Sequence, residues 1–188
     1  IAAYRAGIEN AVASMGTALT AEHVKHLKKF TKKVILTYDG DNAGQNAIAK
    51  SLDILQDLTV EIVRIPNQMD PDEFIKANSA EELVKLLTQS RISSTEFWIQ
   101  YLKPENVDNL QTEIAYVERI SKIIAGVTSI TAQNTYINMV AESLPDFDYL
   151  QVEQTVNASR LQMRSQRQNQ GPIQTQAPIA SPTVVQKQ

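Results

Sequence analysis

The sequence predicts an α/β unit followed by an all-α unit and a disordered tail. Three observations carry this reading. The stretch VILTYDGDNAG, Val34 to Gly44, is an apolar run that stops in two aspartates one residue apart. A second β-rich run, LTVEIVRI from Leu58 to Ile65, follows a helix-like interval. Strand, helix and strand within about thirty residues are the signature of a right-handed parallel βαβ unit. After Phe74 strand signals fade, and amphipathic stretches with short connections predict a small antiparallel bundle.

The chain of 188 residues is long enough for one ordinary domain or two small ones with a real core. Its formal net charge of −3 argues against a strongly basic nucleic-acid binder, so any such binding needs a local basic face or a metal ion. The absence of cysteine excludes disulfides, thiolate zinc sites and a Cys nucleophile within the chain, and fits a reducing cytoplasm. No apolar run is long enough to span a bilayer. The start, Ile1-Ala2-Ala3-Tyr4, has neither Met nor a signal sequence, and the chain reads as a piece of a longer one.

Each element has its own local reason. Ile1 to Ala6 reads as the end of a helix closed by Gly7. Ala11 to Met15 reads as a first short strand ending at Gly16-Thr17. Thr20 is placed to cap a helix over 21–30 with Val24 and Leu27 inward. The strand Val34–Tyr38 leads through the aspartates to a helix over 43–55, with Ile48, Leu52 and Leu55 inward. Ser79-Ala80-Glu81-Glu82 is a capping-box pattern opening a helix through Leu87. Helices then follow over 94–102, 110–124 (Ile114, Val117, Ile120 and Ile124 on one stripe), 132–144 and, more weakly, 149–161. From about Gln162 the chain turns to Gln, Ser, Thr, Ala and Pro, too little apolar surface to offset the entropy of ordering.

The βαβ reading explains where the aspartates fall. In an open parallel sheet, ligands bind beyond the carboxyl ends of the strands. Asp39 and Asp41 lie past the end of one strand, and Asp70 and Asp72 lie past the end of the next. Gly16-Thr17 marks the equivalent place after the first short strand. Residues i and i+2 of an extended segment face the same side, so Asp39 and Asp41 can converge. Gly40 between them keeps the approach open, and Gly44 leaves room in the first helical turn. Two carboxylates about 4 Å apart repel by roughly 4 kcal/mol at an effective dielectric of 20, so a proton or a cation has to relieve them. Hard oxygen donors with no His or Cys nearby suit Mg²⁺ or Mn²⁺ rather than zinc, and magnesium points to phosphate chemistry.

Each of these features also has a plainer reading. The D-x-D can be a turn with a helix cap, and Pro71 makes Asp72 a candidate cap for the next helix. The basic run of Lys25, Lys28, Lys29, Lys32 and Lys33 reads better as a solvated face than as a nucleic-acid patch. His23 and His26 share a face but find no matching ligand set. Phe97, Trp98 and Tyr101 read as core anchors rather than a base-stacking platform.

The string GTALTAEHVKHLKKF…VILTYDGDNAGQNAIAKSL…VRIPNQMDPDEFI resembles the second half of the TOPRIM domain of bacterial DnaG-type DNA primases, from Ile1 to about Phe74. The helical stretch beyond is similar to the subdomain that closes the primase catalytic core. The resemblance therefore divides the chain into the C-terminal part of a TOPRIM domain (1–76), a helical subdomain (77–161) and a flexible Gln/Pro-rich linker (162–188). It implies an enzyme of the replication fork, in the cytoplasm. That enzyme is a DNA-directed RNA polymerase that lays short primers on single-stranded DNA from ribonucleoside triphosphates. It implies Asp39 and Asp41 as catalytic metal ligands, Asp70 and Asp72 as completing the metal cluster, and Mg²⁺ or Mn²⁺ as cofactor. Gly16, Gly40 and Gly44 become the turns of the site.

The departures from the family pattern are equally definite. The essential glutamate of an E-G-[YF]-M-D stretch would precede Ile1, and Glu9, which follows the first helix, does not replace it. The zinc-binding domain and the C-terminal domain that docks on the replicative helicase would also lie outside this chain. The piece alone is therefore expected to be inactive. Two alternatives stand beside this reading. One is a TOPRIM nuclease or topoisomerase, less similar because its usual third acidic position falls on Ala43. The other is a non-catalytic helical interaction module.

Overall fold

A computed structural model describes residues 2–14, 18–38, 41–107 and 109–169. Helix α1 (Ala2–Arg5) ends at Gly7, whose φ of +85° is the left-handed closure expected there. No strand forms over 11–14, where the sequence predicts one, and Val12 is 81% exposed. The segment is mostly alanine and serine, with little β-branched surface to press onto a sheet. Helix α2 (Ala21–Leu27) carries the predicted Thr20 cap, and His23 completes the box by accepting from the Thr20 N–H. It stops three residues short of the predicted end, in tight turns that leave Phe30 exposed.

The sheet is the predicted βαβ unit with one addition. Strand β1 (Lys33–Tyr38) and strand β2 (Thr59–Arg64) run parallel in register from Lys33↔Thr59 to Tyr38↔Arg64, joined by α3 (Asn42–Ile54). Ile48, Leu52 and Leu55 are buried beneath α3 as their spacing requires. A 3₁₀ turn over Pro66–Gln68 leads to α4 (Pro71–Ala77) and α5 (Ala80–Gln89). The addition is β3 (Ile92–Ser93), antiparallel to β2 through Ile62↔Ile92 and Glu61↔Ser93. Two residues are too few to show an alternation, so no strand signal survives in the sequence there.

Four helices follow among the described residues: α6 (Ser94–Leu102), α7 (Leu110–Ala125), α8 (Ile130–Glu142) and α9 (Tyr149–Asn169). They share one core of Val117, Ile120, Ile124, Ile137, Val140, Val152 and Val156. Ile114 is only half-buried, because Glu113 and Tyr116 take the inward positions of the first turns. The Tyr116 hydroxyl donates to the Ile99 carbonyl at 2.8 Å, and burial pushes its pKa up to about 12. Helix α9 runs to Asn169, so residues 162–169, expected to begin the linker, are helical. The remainder of the predicted linker lies outside the described residues.

One packed group runs across residue 76. Phe74 of α4 packs with Leu83 of α5 and Ile65, and Ala6 and Ile8 pack against the same group. Phe97 of α6 is buried with Val24, Leu36, Ile48 and Leu52. Beside it Trp98 and Tyr101 form an aromatic cluster, with Phe97 and Tyr101 stacked at 5.3 Å. These rings are core anchors.

Glu61 ties the three strands together from the middle of β2. Its carboxylate accepts from Lys33 at 2.6 Å and from Arg91 at 3.1 Å, with the side chain 25% exposed. The hydrogen bond from Lys33 is the main reason its carboxyl sits below the usual range, against a smaller opposing effect of burial. A lowered pKa contributes stability above the ordinary carboxylate value, and that contribution is lost as pH falls through the folded value. Glu61→Gln is expected to lose about 1 kcal/mol at neutral pH. Urea midpoints should differ at pH 7 and converge as the medium is acidified below the ordinary value of 4.5.

Candidate functional site

Parallel pairing puts the carboxyl ends of β1 and β2 on one edge, where Tyr38 faces Arg64. What leaves that edge is the candidate site. Asp39 and Gly40, together with Gly16, lie outside the described residues. Asp41 is the N-cap of α3, half-buried, and its Oδ1 accepts from the Gly44 N–H at 2.6 Å. Gly44 is buried in the first turn. Its N–H is the donor that the Asp41 carboxylate accepts from.

The second acidic pair divides its roles otherwise than the sequence suggests. Asp70, not Asp72, is the N-cap of α4. Its Oδ1 accepts from the N–H groups of Asp72 at 2.7 Å and Glu73 at 2.8 Å. Glu73 reciprocates by accepting from the Asp70 N–H at 3.1 Å, a full capping box. Pro71 takes the first helical position, where a missing N–H costs nothing, so the cap falls one residue before it. Asp72 points along the helix to Lys76, Oδ2 to Nζ 2.6 Å, in the open. The Lys76 hydrogen bond holds the Asp72 carboxyl below its usual range and raises Lys76 in turn.

The link that delivers Asp70 has an unusual backbone. Asn67 and Gln68 have φ of +59° and +57°, two consecutive left-handed residues without glycine. Such conformations cost on the order of 1 kcal/mol or more and gather at sites that need a fixed turn. The sequence PNQMD carries no glycine to announce it.

Among the described residues, no group of three or more His, Cys, Asp or Glu side chains is placed to hold a metal ion. Asp41 and Asp70 each commit one oxygen, Oδ1, to backbone donors, and among the described residues the other oxygen of each accepts no hydrogen bond. His23 closes the α2 capping box through its Nδ1. In the basic run, Lys28 pairs with Asp57 and Lys33 with Glu61. Among the described residues no helix is long and apolar enough to cross a membrane.

Comparison with known proteins places this arrangement in a family. Residues 1–75 match the Toprim-like family model. The chain is 53% identical over 163 residues to the DNA primase of Lactococcus lactis, an alignment covering 87% of the chain and 26% of that protein. The chain thus spans about a quarter of the length of the curated relatives it matches. Among solved structures, the RNA polymerase domain of Mycobacterium tuberculosis primase DnaG superposes with a TM-score of 0.60 at 27% identity, covering 75% of this chain and 47% of that one. A DnaG primase catalytic domain bound to ssDNA shares the fold with a TM-score of 0.60 at 24% identity, again over 75% of this chain and 47% of that one. The strand pair and the helices that follow belong to one known architecture, and the chain is a member of the bacterial DnaG-type DNA primase family.

Proposed function

We propose that this chain supplies the acidic edge of a primase catalytic core, in a protein that makes short RNA primers on single-stranded DNA by nucleotidyl transfer. The observation that carries this is the shared edge: two parallel strands in register, each followed by an aspartate that caps the next helix. The donor set fits a hard divalent cation, since every candidate is a carboxylate and the two caps leave an oxygen free. Asp39 and Asp41 would hold it, with Asp70 and Asp72 completing its surroundings. A bound Mg²⁺ or Mn²⁺ supplies charge neutralisation on phosphate oxygens and acidifies a primer hydroxyl.

The residues of this chain hold and orient. Gly44 fixes the Asp41 carboxylate through its N–H, so the ligand does not have to be ordered when substrate arrives. The hydrogen bond from Lys76 holds the Asp72 carboxyl below its usual range. The partners of this reading are a single-stranded DNA template, ribonucleoside triphosphates and the replicative helicase, and its place is the replication fork. A catalytic domain of the same fold has been seen on ssDNA.

The test exploits the capping geometry. Asn caps helices about as well as Asp, so Asp41→Asn and Asp70→Asn keep α3 and α4 intact while removing charge. In the full-length protein that carries this chain, Asp39→Asn and Asp41→Asn are each expected to lower primer synthesis and Mn²⁺ affinity by about 10-fold or more, with the melting temperature unchanged. Undiminished primer synthesis by both variants would remove the catalytic role of this edge.

A further inference from the structure

A cleft of about 430 Å³ lies away from the acidic edge, between the α7–α8 turn and α9. One wall carries Arg160, Arg164 and Arg167. Their spacing of i, i+4 and i+7 puts all three on one face of α9. The other wall is the turn at Gly126, Val127 and Thr128 with the first turn of α8. No Asp or Glu lines the cleft, and none occurs in the sequence after Glu153. The wall is therefore strongly cationic in a chain whose net charge is −3.

The cleft is also built. Gln133, only 5% exposed, donates its amide N–H to the Val127 carbonyl and accepts from Arg160 through its amide oxygen. That buried amide locks the turn and the first guanidinium together. Arg164 and Arg167 make no ion pair among the described residues and face the cleft from an exposed stretch of helix.

We propose that this cleft seats the phosphodiester backbone of a single-stranded nucleic acid. Guanidinium forks match phosphate oxygens, and the N-terminus of the 13-residue α8 adds backbone donors and a favourable dipole. Arg160 to Arg167 spans about 10 Å of helix axis at 1.5 Å per residue, more than one phosphate needs and suited to successive ones. Identifying the polyanion as a strand rests on the proposed primase function; the cationic cleft itself does not. The site is separate from the metal edge and would hold template or primer at a distance from the chemistry.

The test is fluorescence anisotropy of a labelled single-stranded oligonucleotide on the full chain, at several salt concentrations. Binding is expected, with the slope of log K against log salt reduced by about 1.4 in the double variant Arg164→Ala/Arg167→Ala, from about 0.7 per phosphate contact. Affinity at low salt should fall about 10-fold with it. The Arg164→Lys/Arg167→Lys variant conserves charge and should keep the wild-type slope. An alanine double variant that matches wild type in both affinity and slope overturns the proposal. So does a wild-type chain that binds inorganic pyrophosphate at the arginines but no strand. Primer synthesis by the Asp41→Asn protein is a separate readout, so a failed acidic edge and a failed cleft are told apart.

Discussion

Phe97→Ala is expected to lower the stability of the chain by about 3–5 kcal/mol, a large share of the roughly 5–15 kcal/mol that a typical domain has. The ring is 5% exposed and stands among residues of α2, β1 and α3, although it is carried by α6. Its neighbours cannot close the gap freely. Tyr101 is held by a 2.7 Å hydrogen bond from its hydroxyl to Asn46, and Trp98 is engaged with both rings. A cavity at this place therefore costs both the transfer of the ring and the lost contacts around it. The measurement is the urea midpoint, with Phe97→Leu as a milder companion. A loss under about 1 kcal/mol for the alanine variant would mean that the bundle and the sheet unit do not depend on this ring.

Glu113→Leu is expected to act in the opposite direction, raising stability by about 1–3 kcal/mol. Glu113 is fully buried in the first turn of α7, and neither carboxylate oxygen has a hydrogen-bond partner among the described residues. A carboxylate near a helix N-terminus gains about 0.3–1 kcal/mol from the dipole, whereas the effective cost of burying an unpaired ion is several kcal/mol. Burial wins. Leucine keeps the side chain's reach, removes the desolvated oxygens and adds contacts to the bundle core. Thermal and urea unfolding at neutral pH decide it. Destabilisation by Leu, with Glu113→Gln close to wild type, would show that the buried group serves a polar partner.

Much of the fold was legible because its causes are local. The strands over 33–38 and 59–64, the helix between them and the Thr20 and Ser79 caps follow from apolar spacing and capping chemistry. What escaped depends on contacts or context. Strand β3 exists only because β2 offers an edge to Ile92 and Ser93. The last turns of α9 carry no apolar stripe, yet Gln and Arg are good helix formers once a packed helix is running into them. At the acidic edge, the placement of Asp41 and Asp70 beyond successive strands was legible. The assignment of the α4 cap to Asp70 was not, because either aspartate beside Pro71 can serve. The arginine wall was hidden because Arg164 and Arg167 fall among glutamines in the expected linker, until α9 runs on and aligns them with Arg160.

Trp98 is the only tryptophan in the chain, and it packs against both the bundle core and the sheet core. Nature has thus set the one strong ultraviolet emitter on the seam where the two halves meet. Its fluorescence does not average over the molecule. It watches a single joint, and so distinguishes a separation of the halves from the melting of either, a distinction that far-ultraviolet circular dichroism, summed over all the helices, does not make.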